Sequence, residues 1–419
     1  MKRTVFSRPN RRDFLKGAAA AAAGLAAPYA ITSSALGAGG RPAASDRLVM
    51  GAIGIGGRGG YIMSTFMWYP DVQMAAVCDV QGDRRNRAKA AVDGKYGNKD
   101  CKPYIDLREM LARGDIDAVC IATGENWHGP AAIMSMRAGK DVYCEKPGCH
   151  TIAEGRLLAE AAAKSGAIYQ GGTQRRSLGH FAFALHLARS GALGRLKAVK
   201  GEAGVSVPRW LSFPAQPQPP REVVDWDIYL GRAPWRAYNQ AWLRAWRGDW
   251  DFQGGSIKEW GSHTADLCQL AASADETAPV EYHQEGSQFV CTYANGTKLI
   301  FTQGLGQVGV RFEGDAGWVH VNDDGVKGVY PESLMIERQL GRGYPANDHV
   351  RNFLDCVKSR RQPRSFAEAI HRGMTVCHAA DISLYLGRPL KYDPVKEEFI
   401  GDDDANRLRA HTRRQPWVL

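Results

Sequence analysis

Gly54, Gly56 and Gly59 stand in the order G-x-G-x-x-G between two segments of different character. Ahead of them, Arg47-Leu-Val-Met-Gly-Ala-Ile53 is a short apolar run that reads as a buried strand. Behind them, Tyr61-Ile-Met-Ser-Thr-Phe-Met-Trp68 suits a helix. Gly54 permits the tight turn from one to the other. Gly56 has no Cβ, so backbone there can approach a pyrophosphate, and Gly59 lets helix and strand pack closely. The helix start, with Gly57 and Arg58, offers unpaired N–H groups to an anion. In a chain with 47 glycines the triad alone is compatible with an ordinary turn. Its sequel gives it weight. A second apolar run, Val72-Gln-Met-Ala-Ala-Val-Cys78, ends in Asp79, about 20 residues past the glycines, where a carboxylate meets the ribose of a bound dinucleotide.

The strand–helix rhythm continues to residue 172. Gly82 to Lys95 is a charged helix, Asp106 caps a short one, and Asp117 to Ala122 is a buried strand. A helix from Trp127 stops at Gly139, and Asp141 to Glu145 is the next strand. Thr151-Ile-Ala-Glu154 is a capping box opening a helix to Ser165, followed by a strand from Ala167 to Gln170. Such alternation predicts a Rossmann domain over 46–172, a parallel sheet with helices on both faces. Its ligands sit beyond the carboxyl ends of the strands. That rule singles out the stretch Thr123-Gly-Glu-Asn-Trp-His128 after one strand, with Thr123, Asn126, Trp127 and His128 as its site candidates, and Glu145-Lys-Pro147 after the next.

The first residues read as an address. Asn10-Arg-Arg-Asp-Phe-Leu-Lys16 and the alanine-rich run Gly17 to Ala30 have the form of a twin-arginine export signal. The run is too short and alanine-rich for a membrane span. Residues 1–40 therefore leave the fold, and a periplasmic or extracytoplasmic protein without a stable span is expected. The first 38 residues hold +5 of the formal net charge of +10. The remaining excess is mild, no basic run is interleaved with aromatics, and no nucleic-acid partner is indicated. Nine cysteines without a C-x-x-C predict free thiols, buried at Cys78, Cys120 and Cys144, with neither a disulfide framework nor a metal site.

Gly54-Ile-Gly-Gly-Arg-Gly59, Asp79, Thr123 to His128 and Cys144-Glu-Lys-Pro147 together resemble the Gfo/Idh/MocA oxidoreductases, whose namesakes include glucose–fructose oxidoreductase and inositol dehydrogenase. The resemblance runs from about residue 46 to the C-terminus. Asp225-Trp-Asp-Ile-Tyr-Leu-Gly231, Trp260-Gly-Ser-His263 and Gly401-Asp-Asp-Asp-Ala-Asn406 are similar to an exported branch common in planctomycete-type bacteria. The resemblance implies that Lys146 touches nicotinamide ribose and substrate, that the Lys146–Pro147 bond is cis, and that His263 is the acid/base at the reacting hydroxyl. Chemistry supplies its own reason for a lysine. As hydride leaves carbon the hydroxyl proton leaves oxygen, and a fixed ammonium stabilises the developing alkoxide. Glu259 stands where the family has Asp, which puts the substrate pose in question, and Lys258 beside it adds to that. Four residues apart, Glu259 and His263 would share one face of a helix. His263 then either takes the alcohol proton or is simply held by Glu259.

Beyond the first domain, Gln174 and Arg175 are candidate substrate contacts. His180 to Ser190 reads as a helix and Leu196 to Val207 as one long strand. Strand-like runs follow at 280–286, 288–293, 297–303, 308–314 and 318–322, with a hairpin signal at Asn295-Gly296. Helices are expected at 348–359 and 366–386. The fold class is thus α/β: an N-terminal Rossmann parallel sheet, then over 173–395 an α+β substrate and oligomerisation domain with a large, mostly antiparallel open sheet, and a tail over 396–419. Trp226, Tyr229, Trp235, Tyr238, Trp242, Trp246 and Trp250 either stack on sugar faces or belong to cores.

The resemblance implies an NAD(P)-dependent oxidoreductase acting on a sugar, polyol or glycoside, with Lys146, His263 and Glu259 as catalytic residues and a homo-oligomer, dimer or tetramer. Asp79 favours NAD, since it would repel a 2′-phosphate, while Arg84 and Arg85 keep NADP open. Three classes compete: a dehydrogenase, a redox-neutral glycoside hydrolase or lyase, and a binding protein without turnover. An exported protein arrives folded where free nicotinamide is scarce, so a tightly held cofactor is expected.

Overall fold

The computed structural model describes residues 42–339, 346–411 and 414–417. The signal at 1–40 lies outside the described residues. β1 (Leu48–Ile53) is buried at every position, which is why its sequence is apolar throughout and does not alternate. It joins β2 (Val72–Cys78), β3 (Lys102–Tyr104), β4 (Ala118–Ile121), β5 (Asp141–Cys144) and β6 (Tyr169–Gly171) in a parallel sheet of order β3-β2-β1-β4-β5-β6. The strand order reverses between β1 and β4, and this opens a crevice over their carboxyl ends.

The helices between these strands begin and end at their sequence signals. Asp106 accepts the N–H of Arg108 at the head of Leu107–Leu111, and Thr151 accepts that of Glu154 at the head of Ile152–Ser165. The capping box is half formed. The Glu154 carboxylate accepts from the N–H of His150 and pairs with Arg232, and does not reach back to Thr151. A buried arginine thus claims the oxygen that a surface helix would spend on its own cap.

The second sheet has nine strands: β7 (Leu196–Glu202), β8 (Glu281–Glu285), β9 (Gln288–Thr292), β10 (Lys298–Thr302), β11 (Val310–Gly314), β12 (Trp318–Asn322), β13 (Gly325–Tyr330), β14 (Leu390–Asp393) and β15 (Glu398–Phe399). Their order is β13-β12-β11-β7-β10-β9-β8-β14-β15, antiparallel except where β7 lies parallel to β10. The strand expected to reach Val207 stops at Glu202. There the chain peels away, and the N–H of Gly204 donates to Ser256 Oγ at 3.0 Å instead of joining a ladder. β13, with two glycines, carries no alternation that would announce it. The inner face, including Phe289, Leu299, Phe301, Phe312 and Val319, is buried against helices Gly179–Arg189, Gly261–Ala271 and Ala367–Leu386. Gln288, Thr292, Ile300 and Trp318 on the other face are only half-buried.

Helix Ala346–Ser359 comes late in the chain yet belongs to the first core. Val350, Phe353 and Leu354 pack with Met50, Phe66 and Tyr143, while Arg351 and Lys358 both pair with Asp71 beside β2. The tail also returns. Arg414 pairs with Asp227 at 2.5 Å, and buried Trp417 meets Trp127 edge-on at 5.3 Å. All nine cysteines are free and buried. Among the described residues no helix is long and apolar enough to cross a membrane.

Candidate active site

A cavity of about 590 Å³ runs from the glycine turn after β1 to the helices of the second sheet. At the first end the backbone explains the glycines. Gly54 has φ +76°, and a Cβ there would lie 2.6 Å from the Thr123 backbone. A Cβ on Gly59 would lie 1.9 Å from the Gly54 carbonyl oxygen, so Gly59 serves helix–strand packing and does not line the cavity. Gly56 and Gly57 do line it. A Cβ on Gly57 would meet nothing, and one on Gly56 only the end of Arg84. No side chain caps helix Gly57–Phe66, which leaves its first N–H groups facing this space. A bare cradle at a helix start fits a dinucleotide pyrophosphate.

Asp79, buried at the end of β2, accepts the N–H of Ile55 at 2.6 Å and that of Gln81 at 2.8 Å. Each carboxylate oxygen is therefore already engaged once, tying the glycine turn to the next loop, with a further lone pair on each for ribose hydroxyls. Arg85 is turned away. Its guanidinium donates to the carbonyls of Asp79 and Glu222, so of the two arginines only Arg84 lines the cavity. Arg58 and Glu145 bind each other at 2.9 Å, clamping the glycine helix to the end of β5. Gln174, expected at the substrate, stands behind that clamp. It donates to Glu145 and to the Tyr143 hydroxyl, both at 2.8 Å, and is not part of the cavity wall.

At the other end Lys146 leaves β5 through a cis bond to Pro147. Its ammonium donates to the Glu259 carbonyl oxygen at 2.7 Å and lies 3.5 Å from the Glu259 carboxylate. Glu259 and His263 do not share one helix. Ser256–Glu259 ends at Trp260, and Gly261–Ala271 begins after it. The Glu259 carboxylate accepts from Gln253 at 2.8 Å and lies 3.6 Å from Arg247, and among the described residues no hydrogen bond joins it to His263. Lys258 points away, to Asp381 at 3.4 Å in the protein interior. His263 is buried. Its Nε2 lies 3.4 Å from Arg175, its Nδ1 has no partner, and burial with Arg175 and Lys146 nearby holds it well below the usual imidazole range, hence neutral. Arg175 lines the cavity and is fixed by Asp323 through two hydrogen bonds of 3.0 and 2.7 Å.

Thr123, Asn126, Trp127 and His128 all line the middle of the cavity. Trp127 and Asn126 are spoken for, donating to the carbonyls of Ile228 at 2.6 Å and Leu230 at 3.2 Å. Burial pushes His128 down to about 3, so it is neutral too. Sequence reasoning passed over Glu125, Gln253 and Asp323. Only Glu125 carried a signal, lying inside the strand-end stretch already singled out. Of the aromatics, Trp226 and Trp242 are core, whereas Tyr229 and Trp246, with Trp260, line the cavity.

Comparison with known proteins bears on this geometry. The family model described as an oxidoreductase family, NAD-binding Rossmann fold, matches residues 48–173. Its companion, the C-terminal alpha/beta domain of the oxidoreductase family, matches 210–419. A twin-arginine translocation pathway signal sequence matches 8–28. A glycosyl hydrolase family 109 protein of Saccharopolyspora erythraea is 33% identical over 171 residues, and one of Shewanella baltica is 33% identical over 178. Each match spans 37% of this chain and 37% of the relative's length. The WlbA dehydrogenase from Bordetella pertussis, solved in complex with NADH and UDP-GlcNAcA, superposes with a TM-score of 0.62 at 18% identity, covering 83% of this chain and 99% of that one. The aldose-aldose oxidoreductase from Caulobacter crescentus, complexed with glycerol, gives 0.58 at 19%, covering 82% and 99%. At such identities the structural likeness shows the fold alone.

Proposed function

This chain belongs to the Gfo/Idh/MocA oxidoreductase family, and on that footing we propose that it oxidises a hydroxyl-bearing carbon of a sugar, polyol or glycoside outside the cytoplasm and returns the hydride within the same site. The observation that carries this reading is the placing of Lys146 and His263 in one cavity with the bare glycine cradle. Nicotinamide supplies the hydride-accepting carbon when bound. The glycine turn and helix start hold the pyrophosphate, and Asp79 holds the ribose hydroxyls. The Lys146 ammonium, aimed by Glu259, stabilises the oxygen as its proton leaves. His263, kept neutral by burial, is in the form that accepts that proton. Tyr229, Trp246 and Trp260 offer ring faces to a sugar. Glu259 holds Lys146 chiefly through its backbone carbonyl, and its carboxylate adds a counter-charge 3.5 Å away. A second copy of the chain against the half-buried face of the nine-stranded sheet accounts for the expected oligomer.

Retention of the cofactor follows from export, because the matched signal belongs to a route that carries folded cargo. The test is to purify the mature protein without added nucleotide, dialyse it, denature it and assay the supernatant. Near-stoichiometric NAD(H) or NADP(H) supports retention. An empty protein that consumes added NAD stoichiometrically refutes it. The glycosyl hydrolase family 109 relatives favour a second reading, in which oxidation, elimination and re-reduction cleave a glycoside. Aglycone release from aryl glycosides without net NADH selects that reading. NADH accumulation selects the plain dehydrogenase.

A further inference from the structure

Glu125, Glu145 and Glu259 all line the cavity, and their surroundings differ. Glu145 is held by Arg58 and Gln174, and Glu259 by Gln253 and Lys146. Glu125 is 3% exposed, its Oε2 is shielded from solvent with no hydrogen-bond partner, and it enters no ion pair among the described residues. It opens helix Glu125–Arg137 directly after Gly124, between the glycine turn and Lys146. The charges that act on it are Glu259 in Ser256–Glu259, Lys146 at the end of β5, Arg247 in Trp246–Gly248 and, from the interior where it pairs with Asp381, Lys258. His128, one turn along its own helix, is neutral. A buried acid without a partner keeps its proton, and burial followed by the Glu259 charge hold Glu125 well above the carboxylate range. Folded proteins rarely bury an orphan of this kind unless another group completes it.

We infer that Glu125 is the proton store of the cavity, standing as carboxylate beside the positively charged oxidised nicotinamide and as neutral acid beside the reduced one. This rests on the reading of a retained cofactor, which has to keep a proton as well as a hydride. The balance is simple. The substrate C–H bond breaks and hydrogen leaves with both electrons to the nicotinamide, which is reduced. The O–H bond breaks, its electrons complete the C=O bond of the oxidised substrate, and its proton passes by way of His263 to Glu125. One positive charge on the ring and one negative charge on the carboxylate vanish together, so the net charge of the cavity does not change. Returning the hydride runs the same transfers backward.

The test is infrared difference spectroscopy of the full protein with its bound nicotinamide first oxidised to NAD and then reduced in place to NADH, the change being followed by nicotinamide fluorescence. The wild type should gain a protonated-carboxyl C=O band in the NADH state and take up roughly one more proton with NADH than with NAD. Glu125→Gln should lose both the band and the proton while still binding both nucleotides. Glu125→Asp should keep a band at a shifted position, and it decides the matter if the glutamine variant fails to fold. A band that persists in Glu125→Gln, an unshifted one in Glu125→Asp, or none in a wild type that binds both nucleotides overturns the store and leaves the proposed function standing. A protein that holds no nucleotide as purified and takes up none on addition overturns both.

Discussion

The two ends of the cavity are built in opposite ways. The glycine end is local. Gly54, Gly56, Gly57 and Asp79 lie within 26 residues, and the turn is held by backbone donors to one carboxylate. The lysine end is assembled. Lys146 follows β5, Arg175 stands in the turn Gln174–Ser177, Glu259 and His263 stand in two successive helices, and Asp323, which fixes Arg175, lies 148 residues from it in sequence. A local site is specified by what the backbone can do. An assembled site is specified by long-range ion pairs and burial, and its chemistry can be removed without touching the fold. Cofactor binding and catalysis should therefore come apart under mutation.

The largest separation is expected from Lys146→Ala. Removing the charge aimed at the reacting oxygen should lower turnover by about 100-fold or more, with bound nicotinamide and melting temperature unchanged. Turnover close to wild type would show that the lysine end is not catalytic. Gly59→Ala is the opposite probe. Its Cβ would collide with the Gly54 carbonyl, so stability should fall by roughly 1–3 kcal/mol, and nucleotide affinity should fall with it. Thermal melts with and without NAD measure both. A stable variant that binds normally would mean that the turn is not a rigid local unit.

A smaller effect is expected at Asp79, where two roles meet. Asp79→Ser should weaken NAD by about tenfold through lost charge-assisted hydrogen bonds and shift preference toward NADP, with Arg84 now facing the ribose unopposed. Competition binding that shows unchanged preference would leave Asp79 as a turn fastener only. The last probe is acid, which reads stability and leaves turnover and nucleotide choice aside. His128, His263 and His349 are buried and held below the usual imidazole range, His128 at about 3 and His349 at about 4. Unfolded histidines bind protons near pH 6.5, and these cannot until far lower. Their stability is therefore complete above about pH 6.5 and drains as pH falls, each costing up to roughly 1.4 kcal/mol per pH unit. Melting temperature should decline steadily from pH 6.5 to 5. A flat profile there would argue that these histidines titrate normally in the folded state.

The chain alone determined the Rossmann sheet, the order of its helices, the glycine cradle and the place of Lys146. Those are written in apolar runs, caps and turn glycines, signals whose physics acts within a few residues. It also determined that the second sheet is mostly antiparallel, because Asn295-Gly296 and successive short apolar runs leave little else. Only the tertiary structure decided the rest. Helix Ala346–Ser359 packs on the first sheet through Val350, Phe353 and Leu354, and Asp71 fixes it there by pairing with Arg351 and Lys358. Glu259 serves Lys146 rather than His263 because the helix breaks at Trp260. Gln174 is drawn behind Glu145, and the Glu125 Oε2 is left without a partner among the described residues. In each case the outcome depends on which side chains compete for a buried charge. That competition is among residues distant in sequence, and neither periodicity nor spacing records it.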